Sequence, residues 1–197
     1  RARLRKPERV AVAAPLVSIV IPAYKPEFFA RTLASALAQT HPNYEVVVCD
    51  DSPDERIARI VEAQAGQRAG HAQAPAVRYI RNPGRIGGRR NYLQCFEVAR
   101  GAYVKYLNDD DLLAPDCLAT MAACLRDNPA VTLVTSYRRL IDEHDRELPD
   151  EVFNAPLADE PVVIDGRHLA TRLLIEKINR IGEPTTAMFR KADMADS

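Results

Sequence analysis

The 197-residue sequence lacks several features by which common protein classes are recognised. No apolar run approaches the ~20 residues that a membrane-spanning helix needs. Neither sign of charge is in excess, because 27 Lys and Arg residues balance 27 Asp and Glu residues. A net charge of zero removes the usual electrostatic basis for binding nucleic acid. Any charged partner must therefore be recognised by a local cluster of side chains.

Sequence spacings typical of metal and nucleotide motifs are also missing. The four histidines are scattered and form no zinc signature. Neither a Walker A loop nor G-x-G-x-x-G occurs, which argues against a P-loop and against a Rossmann dinucleotide site. No two cysteines have C-x-x-C spacing, and the sequence predicts four reduced thiols in a cytoplasmic protein: Cys49, Cys95, Cys117 and Cys124.

The sequence does have an alternation of apolar strands and amphipathic helices. Strands are predicted over residues 15–24, 44–51, 76–82, 102–108 and 130–142, and helices over 26–40, 54–70, 89–101 and 115–128. Pro26 suits the first turn of the first helix, and Gly101 the cap of the third. This order predicts an α/β fold with a mostly parallel central sheet and helices on both faces.

The last third of the chain is less regular. Residues 141–151 predict a solvated hairpin tip with a strand on either side. Residues 166–179 predict an amphipathic helix that packs on the sheet or on a partner.

Two acidic clusters follow predicted strands. Asp50 and Asp51 end the second strand, and Asn108 is followed by three consecutive carboxylates, residues 109–111, at the end of the fourth. In open α/β sheets ligands bind beyond the carboxyl ends of the strands. Packed carboxylates there favour Mn²⁺ or Mg²⁺, with water and phosphate oxygens as the other ligands. A solvated turn is the alternative for each cluster.

The loop over residues 81–91 contains three glycines and four arginines. Flexible backbone and guanidinium groups suit a diphosphate, although a plain surface loop fits equally well.

These segments together resemble the family 2 nucleotide-sugar glycosyltransferases, which have the GT-A fold. The resemblance covers residues 17–191 and is most specific in "VSIVIPAYKPEFF", "VVVCDDSPD" and "YVKYLNDDDLLAPD". It implies that Asp51 contacts the base or ribose of the nucleotide and that Arg89 or Arg90 binds the diphosphate. It also implies that three residues line the nucleotide pocket, the last of them near the base: Pro22, Ala23 and Tyr24.

The resemblance assigns the acids after the fourth strand as well. Asp110 is implied as the principal metal ligand, Asp109 as a ligand of the ribose or cation, and Asp111 as a residue that orients the loop through backbone hydrogen bonds. Asn108 stands where the family often has Asp, which weakens a strict D-x-D motif.

A departure from the family concerns the catalytic base. Members usually carry a Glu-Asp pair beyond the segment that matches residues 182–191, and this sequence contains no such pair. The resemblance therefore predicts a base beyond Ser197, with residues 182–185 beginning the acceptor-side wall. It divides the chain into a basic linker or tail (1–15), a donor-binding half (16–142) and the start of an acceptor-binding half (143–197).

The implied function is metal-dependent, inverting transfer of a sugar from a nucleoside-diphosphate donor, with UDP favoured, to a hydroxyl of a glycan or lipid-linked acceptor in polysaccharide biosynthesis. A non-catalytic nucleotide-sugar-binding module is the alternative. A phosphatase with an aspartate nucleophile is disfavoured, because such enzymes carry their motif after the first strand. A cytoplasmic location is expected, with peripheral membrane association left open.

Overall fold

A computed structural model describes residues 14–68, 74–149, 156–158 and 160–194. The predicted basic linker lies outside the described residues except for Ala14 and Pro15. Within the described residues, no helix is both long enough and apolar enough to cross a membrane.

In the described ranges, eight strands form a six-stranded mixed sheet and a separate hairpin. Their bounds are β1 Val17–Ala23, β2 Tyr44–Asp50, β3 Ala76–Arg81, β4 Tyr103–Tyr106, β5 Leu133–Thr135, β6 Leu140–Ile141, β7 Glu147–Leu148 and β8 Ala187–Arg190. The order in the large sheet is β3-β2-β1-β4-β8-β5, and β6 pairs with β7. Strands β1 to β4 are parallel, whereas β8 is antiparallel to both of its neighbours.

Helices cover both faces of this sheet, as the sequence predicted. The α-helices of the described residues are α1 Phe29–Leu37, α2 Arg56–Arg68, α3 Gly88–Val98, α4 Cys117–Asp127 and α5 Gly166–Glu176. Phe29 of α1, Ile57 of α2 and Leu118 of α4 belong to the larger core cluster. Cys95 of α3 belongs to a smaller cluster on the opposite face, together with Val20 of β1.

The central strands are buried along their whole length. Every residue of β1 and β2 is buried. Successive β1 side chains alternate between the two core clusters, with Ile19 and Ile21 in one and Val20 in the other. A strand that is covered on both faces needs apolar residues at consecutive positions, which explains the unbroken run in the sequence.

Three predicted boundaries are wrong. Helix α1 begins at Phe29, and Pro26 lies before it rather than in its first turn. Helix α3 ends at Val98 with Ala99 as its C-cap, so Gly101 does not cap it. The predicted fifth strand is interrupted: only Leu133–Thr135 joins the large sheet, and the chain then leaves to form the hairpin.

The hairpin tip between β6 and β7 is confirmed. Helix α5 is also present, but it buries none of its residues, and its Leu174 and Ile175 are exposed. Among the described residues, it therefore does not use an apolar face to pack on the sheet.

Gly101 instead permits a close crossing between the start of β4 and β1. A Cβ atom at this position would lie 2.5 Å from the backbone nitrogen of Ser18. We therefore expect Gly101→Ala to lower the free energy of unfolding by about 1–3 kcal/mol through steric overlap. Chemical denaturation measures this effect.

Gly66→Ala is the matched control, because a Cβ atom there meets nothing within 4 Å in α2. It should raise the free energy of unfolding by about 0.5–1 kcal/mol. Equal stability of the two variants would contradict the crossing argument.

Candidate functional site

A cleft of about 360 Å³ opens at the carboxyl ends of the parallel strands. The loops after β1, β2, β3 and β4 all contribute to it. Five of the residues to which the sequence assigned donor binding line it: Pro22, Tyr24, Asp51, Asp109 and Asp110. The carboxyl edge of the sheet thus brings together side chains that lie up to 88 positions apart in the sequence.

The other three assigned residues do not line this cleft. Ala23 is fully buried, and its carbonyl accepts the backbone N–H of Asp51 at 2.9 Å. Arg89 and Arg90 are exposed in the first turn of α3. Arg85 lines the cleft instead, and its guanidinium lies 4.9 Å from the centroid of the Tyr24 ring. The cation–π pair of Tyr24 and Arg85 therefore forms one wall of the cleft.

Asp51 is the fixed acceptor in the floor of the cleft. Its carboxylate accepts the backbone N–H groups of Ile86 at 2.7 Å and Gly87 at 2.9 Å, and the side-chain amide of Asn82 at 2.9 Å. Burial alone would raise the pKa of Asp51, but these three donors hold it below its ordinary value. Asp51 is therefore ionised at neutral pH.

Two buried asparagines connect this floor to the strands beneath. The Asn82 amide donates to the side-chain oxygen of Asn91 at 3.1 Å, and the Asn91 amide donates to the Cys49 carbonyl at 2.8 Å. The start of α3, which carries Asn91, is thereby fixed to the end of β2. Sequence reasoning gave Asn91 no role, and the single signal available was its position directly after the arginines.

The neighbouring Asp50 points away from the cleft and has a structural role. Its carboxylate accepts the Tyr79 hydroxyl at 2.6 Å and lies 3.2 Å from Arg81. Burial, together with the hydrogen bond to this carboxylate, raises the pKa of Tyr79 to about 12. Only the second acid of the pair is thus available to a ligand.

Asp109 joins the loops that follow β4 and β1. One oxygen of its carboxylate accepts the backbone N–H groups of Tyr24 at 2.7 Å and Lys25 at 2.6 Å. Burial raises the pKa of Asp109, while the two N–H donors act in the opposite direction. The side chain therefore shapes the cleft as well as lining it.

Asp111 is engaged on the opposite side of the loop. Its backbone N–H donates to the Asn108 carbonyl at 3.2 Å, in keeping with the orienting role implied by the sequence. Its carboxylate accepts the Asn108 amide at 3.0 Å and the Thr185 hydroxyl at 2.5 Å, so side chains hold it as well.

Asp110 is the most accessible of the three carboxylates. Its side chain is 41% exposed, and its nearest charged neighbour is the Lys25 ammonium at 3.5 Å. Within the described residues, no group of three or more His, Cys, Asp or Glu side chains is arranged to hold a metal ion. A Mg²⁺ or Mn²⁺ ion bound through one or two carboxylates plus nucleotide phosphates needs no such group. These residues therefore fit an ion that binds together with a diphosphate.

A second cleft, of about 560 Å³, adjoins the first and shares Asn108 and Asp110 with it. The β6–β7 hairpin forms its far side, where Arg31 of α1 makes an ion pair with Asp145. Of residues 182–185, predicted to begin the acceptor-side wall, Glu183 lines this cleft.

Comparison with known proteins identifies the family. "Glycosyl transferase family 2" matches residues 18–196. The chain belongs to this family. It is 34% identical over 145 residues to the chondroitin synthase of Escherichia coli, a match that covers 70% of this chain and 20% of that enzyme. It is 32% identical over 185 residues to an uncharacterised protein of Mycobacterium tuberculosis, covering 91% of this chain and 54% of that protein.

Solved structures place the fold among the GT-A glycosyltransferases. S. aureus TarS 1-349 in complex with UDP has a TM-score of 0.62 at 19% identity, covering 92% of this chain and 48% of that chain. The mannosyltransferase PcManGT from Pyrobaculum calidifontis, in complex with GDP-Man and Mn²⁺, has a TM-score of 0.55 at 26% identity. This match covers 72% of this chain and 41% of that chain. The chain thus spans about half or less of the length of these relatives.

The role of Asp51 in the cleft floor can be measured through stability. Asp51→Asn replaces one carboxylate oxygen with an NH2 group, so the backbone N–H of either Ile86 or Gly87 loses its acceptor, and we expect a loss of about 1–3 kcal/mol in the free energy of unfolding at pH 7. A lowered pKa means that the contribution of Asp51 is fully present above its ordinary pKa of about 3.9 and is lost as the pH falls through the lowered value.

The stability difference between the two proteins should therefore shrink below about pH 3.9. Denaturant titrations between pH 7 and pH 3 measure this difference. A gap that stays constant over the whole range would show that ionisation of Asp51 is not what stabilises the loop.

Proposed function

We propose that this chain binds the donor of a glycosyltransferase and acts in the transfer of a sugar from a nucleoside diphosphate to an acceptor hydroxyl. One observation supports this proposal above the others. An ionised acceptor, Asp51, an aromatic wall, Tyr24, and an accessible carboxylate, Asp110, line a single cleft at the carboxyl edge of the sheet. These are the groups that a base, its ribose and a cation-bound diphosphate require.

Asp51 favours a base whose ring carries an N–H group. One of its oxygens already accepts two donors, whereas the other accepts only Gly87 and retains capacity for a further N–H. Uracil and guanine present a ring N–H, while cytosine and adenine present an unprotonated nitrogen at the corresponding edge. The bound UDP and GDP-Man of the two solved relatives agree with this preference. We favour UDP, because the Tyr24–Arg85 wall leaves room in the cleft of about 360 Å³ for the smaller base.

The diphosphate would lie toward the acidic loop. Asp110, with Asp109 beside it, would hold Mn²⁺ or Mg²⁺, and the bound ion would offset the charge that develops on the departing diphosphate. Lys25 and Arg85 supply positive charge at the same cleft. Arg89 and Arg90, exposed at the start of α3, remain our candidates for contacts with the outer phosphate oxygens.

The acceptor would enter through the second cleft, because this cleft meets the donor cleft at Asp110. In an inverting transfer, the acceptor oxygen attacks the anomeric carbon while the bond from that carbon to the diphosphate oxygen breaks. A carboxylate base takes the hydroxyl proton. We assign the base to none of the described residues.

The cation site is tested by calorimetry with UDP in the presence and absence of Mn²⁺. We expect Mn²⁺ to strengthen UDP binding by the native chain, and we expect Asp110→Asn to remove most of this gain, because an amide is a far weaker ligand than a carboxylate. Metal-free binding of UDP should change little.

Asp116→Asn is the matched control, since Asp116 is exposed at the start of α4 and makes no side-chain capping bond. It should keep the full gain from Mn²⁺. Equal gains in the native chain and in Asp110→Asn would remove Asp110 from the proposed cation site.

The base preference is tested by thermal unfolding with UDP, GDP, CDP and ADP, each with Mn²⁺. At equal ligand concentration, a ligand that binds the folded state more tightly raises the unfolding temperature further. We expect the largest increase with UDP, a smaller one with GDP, and the smallest with CDP and ADP. A larger increase with CDP than with UDP would contradict the proposed role of the Asp51 carboxylate.

A further inference from the structure

We propose that Thr185 is a positioning residue that fixes the acidic loop, residues 108–111, to the acceptor side of the molecule. The inference rests on the proposed function, because it concerns the loop that carries the cation site. Thr185 lies in the 3-10 turn Pro184–Thr186, which leads directly into β8. It is 75 positions away from Asp110 in the sequence, and nothing in the local pattern connects the two.

The hydroxyl of Thr185 is used as both donor and acceptor. It donates to the carboxylate of Asp111 at 2.5 Å and accepts the backbone N–H of Asn108 at 3.0 Å. The Asn108 amide donates to the same oxygen of Asp111 at 3.0 Å, and the Tyr92 hydroxyl donates to the Asn108 side-chain oxygen. One side chain thus holds both ends of the acidic loop.

The backbone carbonyl of Thr185 accepts a hydrogen bond from a lysine in the core. Lys105 of β4 is fully buried, and its ammonium donates to the Thr185 carbonyl. A buried ammonium is unfavourable unless it is hydrogen-bonded, so this contact constrains both partners. The turn is therefore attached to β4 through its backbone and to the acidic loop through its hydroxyl.

This attachment helps to keep Asp110 the most accessible carboxylate of the loop. One oxygen of Asp109 accepts the N–H groups of Tyr24 and Lys25, and one oxygen of Asp111 accepts Thr185 and Asn108. Within the part of the chain that the structure describes, Asp110 is the one of the three whose carboxylate has no partner other than the Lys25 ammonium at 3.5 Å, and it lies where the two clefts meet. If Thr185 released Asp111, the loop would lose the contact that keeps Asp110 in this position.

Asn108 also helps to hold Asp111 in place. Its amide supplies a hydrogen-bond donor to Asp111, which a carboxylate at position 108 would lack. An aspartate there would also place two negative charges in direct contact. The departure from the acidic residue common at this position is therefore explained by the partner that this chain provides.

The test compares UDP affinity with Mn²⁺ and with EDTA for Thr185→Val. Loss of a hydrogen bond to a charged group corresponds to about tenfold in affinity, and we expect the gain from Mn²⁺ to fall by about this factor. UDP affinity in EDTA should stay the same, because Asp51 and Tyr24 do not contact the turn. Thr185→Ser, which keeps the hydroxyl, should restore the gain.

Thr135→Val is the matched control, since the Thr135 hydroxyl bonds to the Ile181 carbonyl at 2.6 Å and to the Thr186 hydroxyl of the same turn at 3.3 Å without touching the acidic loop. It should keep the full gain from Mn²⁺. An equal loss in Thr135→Val, or an unchanged gain in Thr185→Val, would overturn the positioning role.

Asn108→Asp provides a second test of the positioning role, which remains usable if the Thr185→Val protein fails to fold. We expect a similar loss of the Mn²⁺ gain, and a larger gain than in the native chain would overturn the inference. Absence of Mn²⁺-dependent UDP binding in the native chain would overturn the proposed function and this inference together. Retention of the gain in Thr185→Val would overturn the inference alone.

Discussion

The donor cleft depends on the pair of hydrogen bonds that Asp109 accepts from the backbone of Tyr24 and Lys25. Strands β1 and β4 are neighbours in the sheet, and this carboxylate joins the loops that follow them. The contact is made at a cost, because burial raises the pKa of Asp109. The two N–H groups offset that cost by supplying donors to a charge that has left water.

Three consecutive carboxylates are compatible with a stable loop because each one meets a different partner. Asp109 accepts hydrogen bonds from backbone N–H groups, and Asp111 accepts them from an amide and a hydroxyl. The Lys25 ammonium lies 3.5 Å from Asp110. The charges also differ in exposure, since only Asp110 is largely accessible to water. Hydrogen bonds therefore reduce the electrostatic repulsion at Asp109 and Asp111, whereas a bound cation would reduce it at Asp110.

Much of the fold could be predicted from the sequence because buried parallel strands require continuous apolar runs and end in polar residues at one edge. The placement of the Asp50–Asp51 cluster and the acidic loop at the same edge followed from that rule, whereas the choice of Asp51 as the ligand-binding acid came from the family resemblance. The roles of Arg85, Lys105 and Thr185 could not be predicted, because each depends on a partner between 60 and 80 positions away. A lysine within the run "YVKYL" looks like a solvent-exposed strand position until the turn whose carbonyl accepts its hydrogen bond is known.

The direction of β8 explains why the acceptor side lies so close to the donor cleft. Because β8 is antiparallel to β4, with Met188 opposite Lys105, its first residues lie at the carboxyl end of β4. The turn that precedes β8 therefore arrives beside the acidic loop, whereas a parallel strand in the same place would begin at the opposite edge of the sheet. Neither the composition nor the periodicity of "AMFR" encodes this direction. A single reversed strand thus brings Thr185 to the loop that carries Asp110, and it makes the junction between the two clefts a consequence of sheet topology.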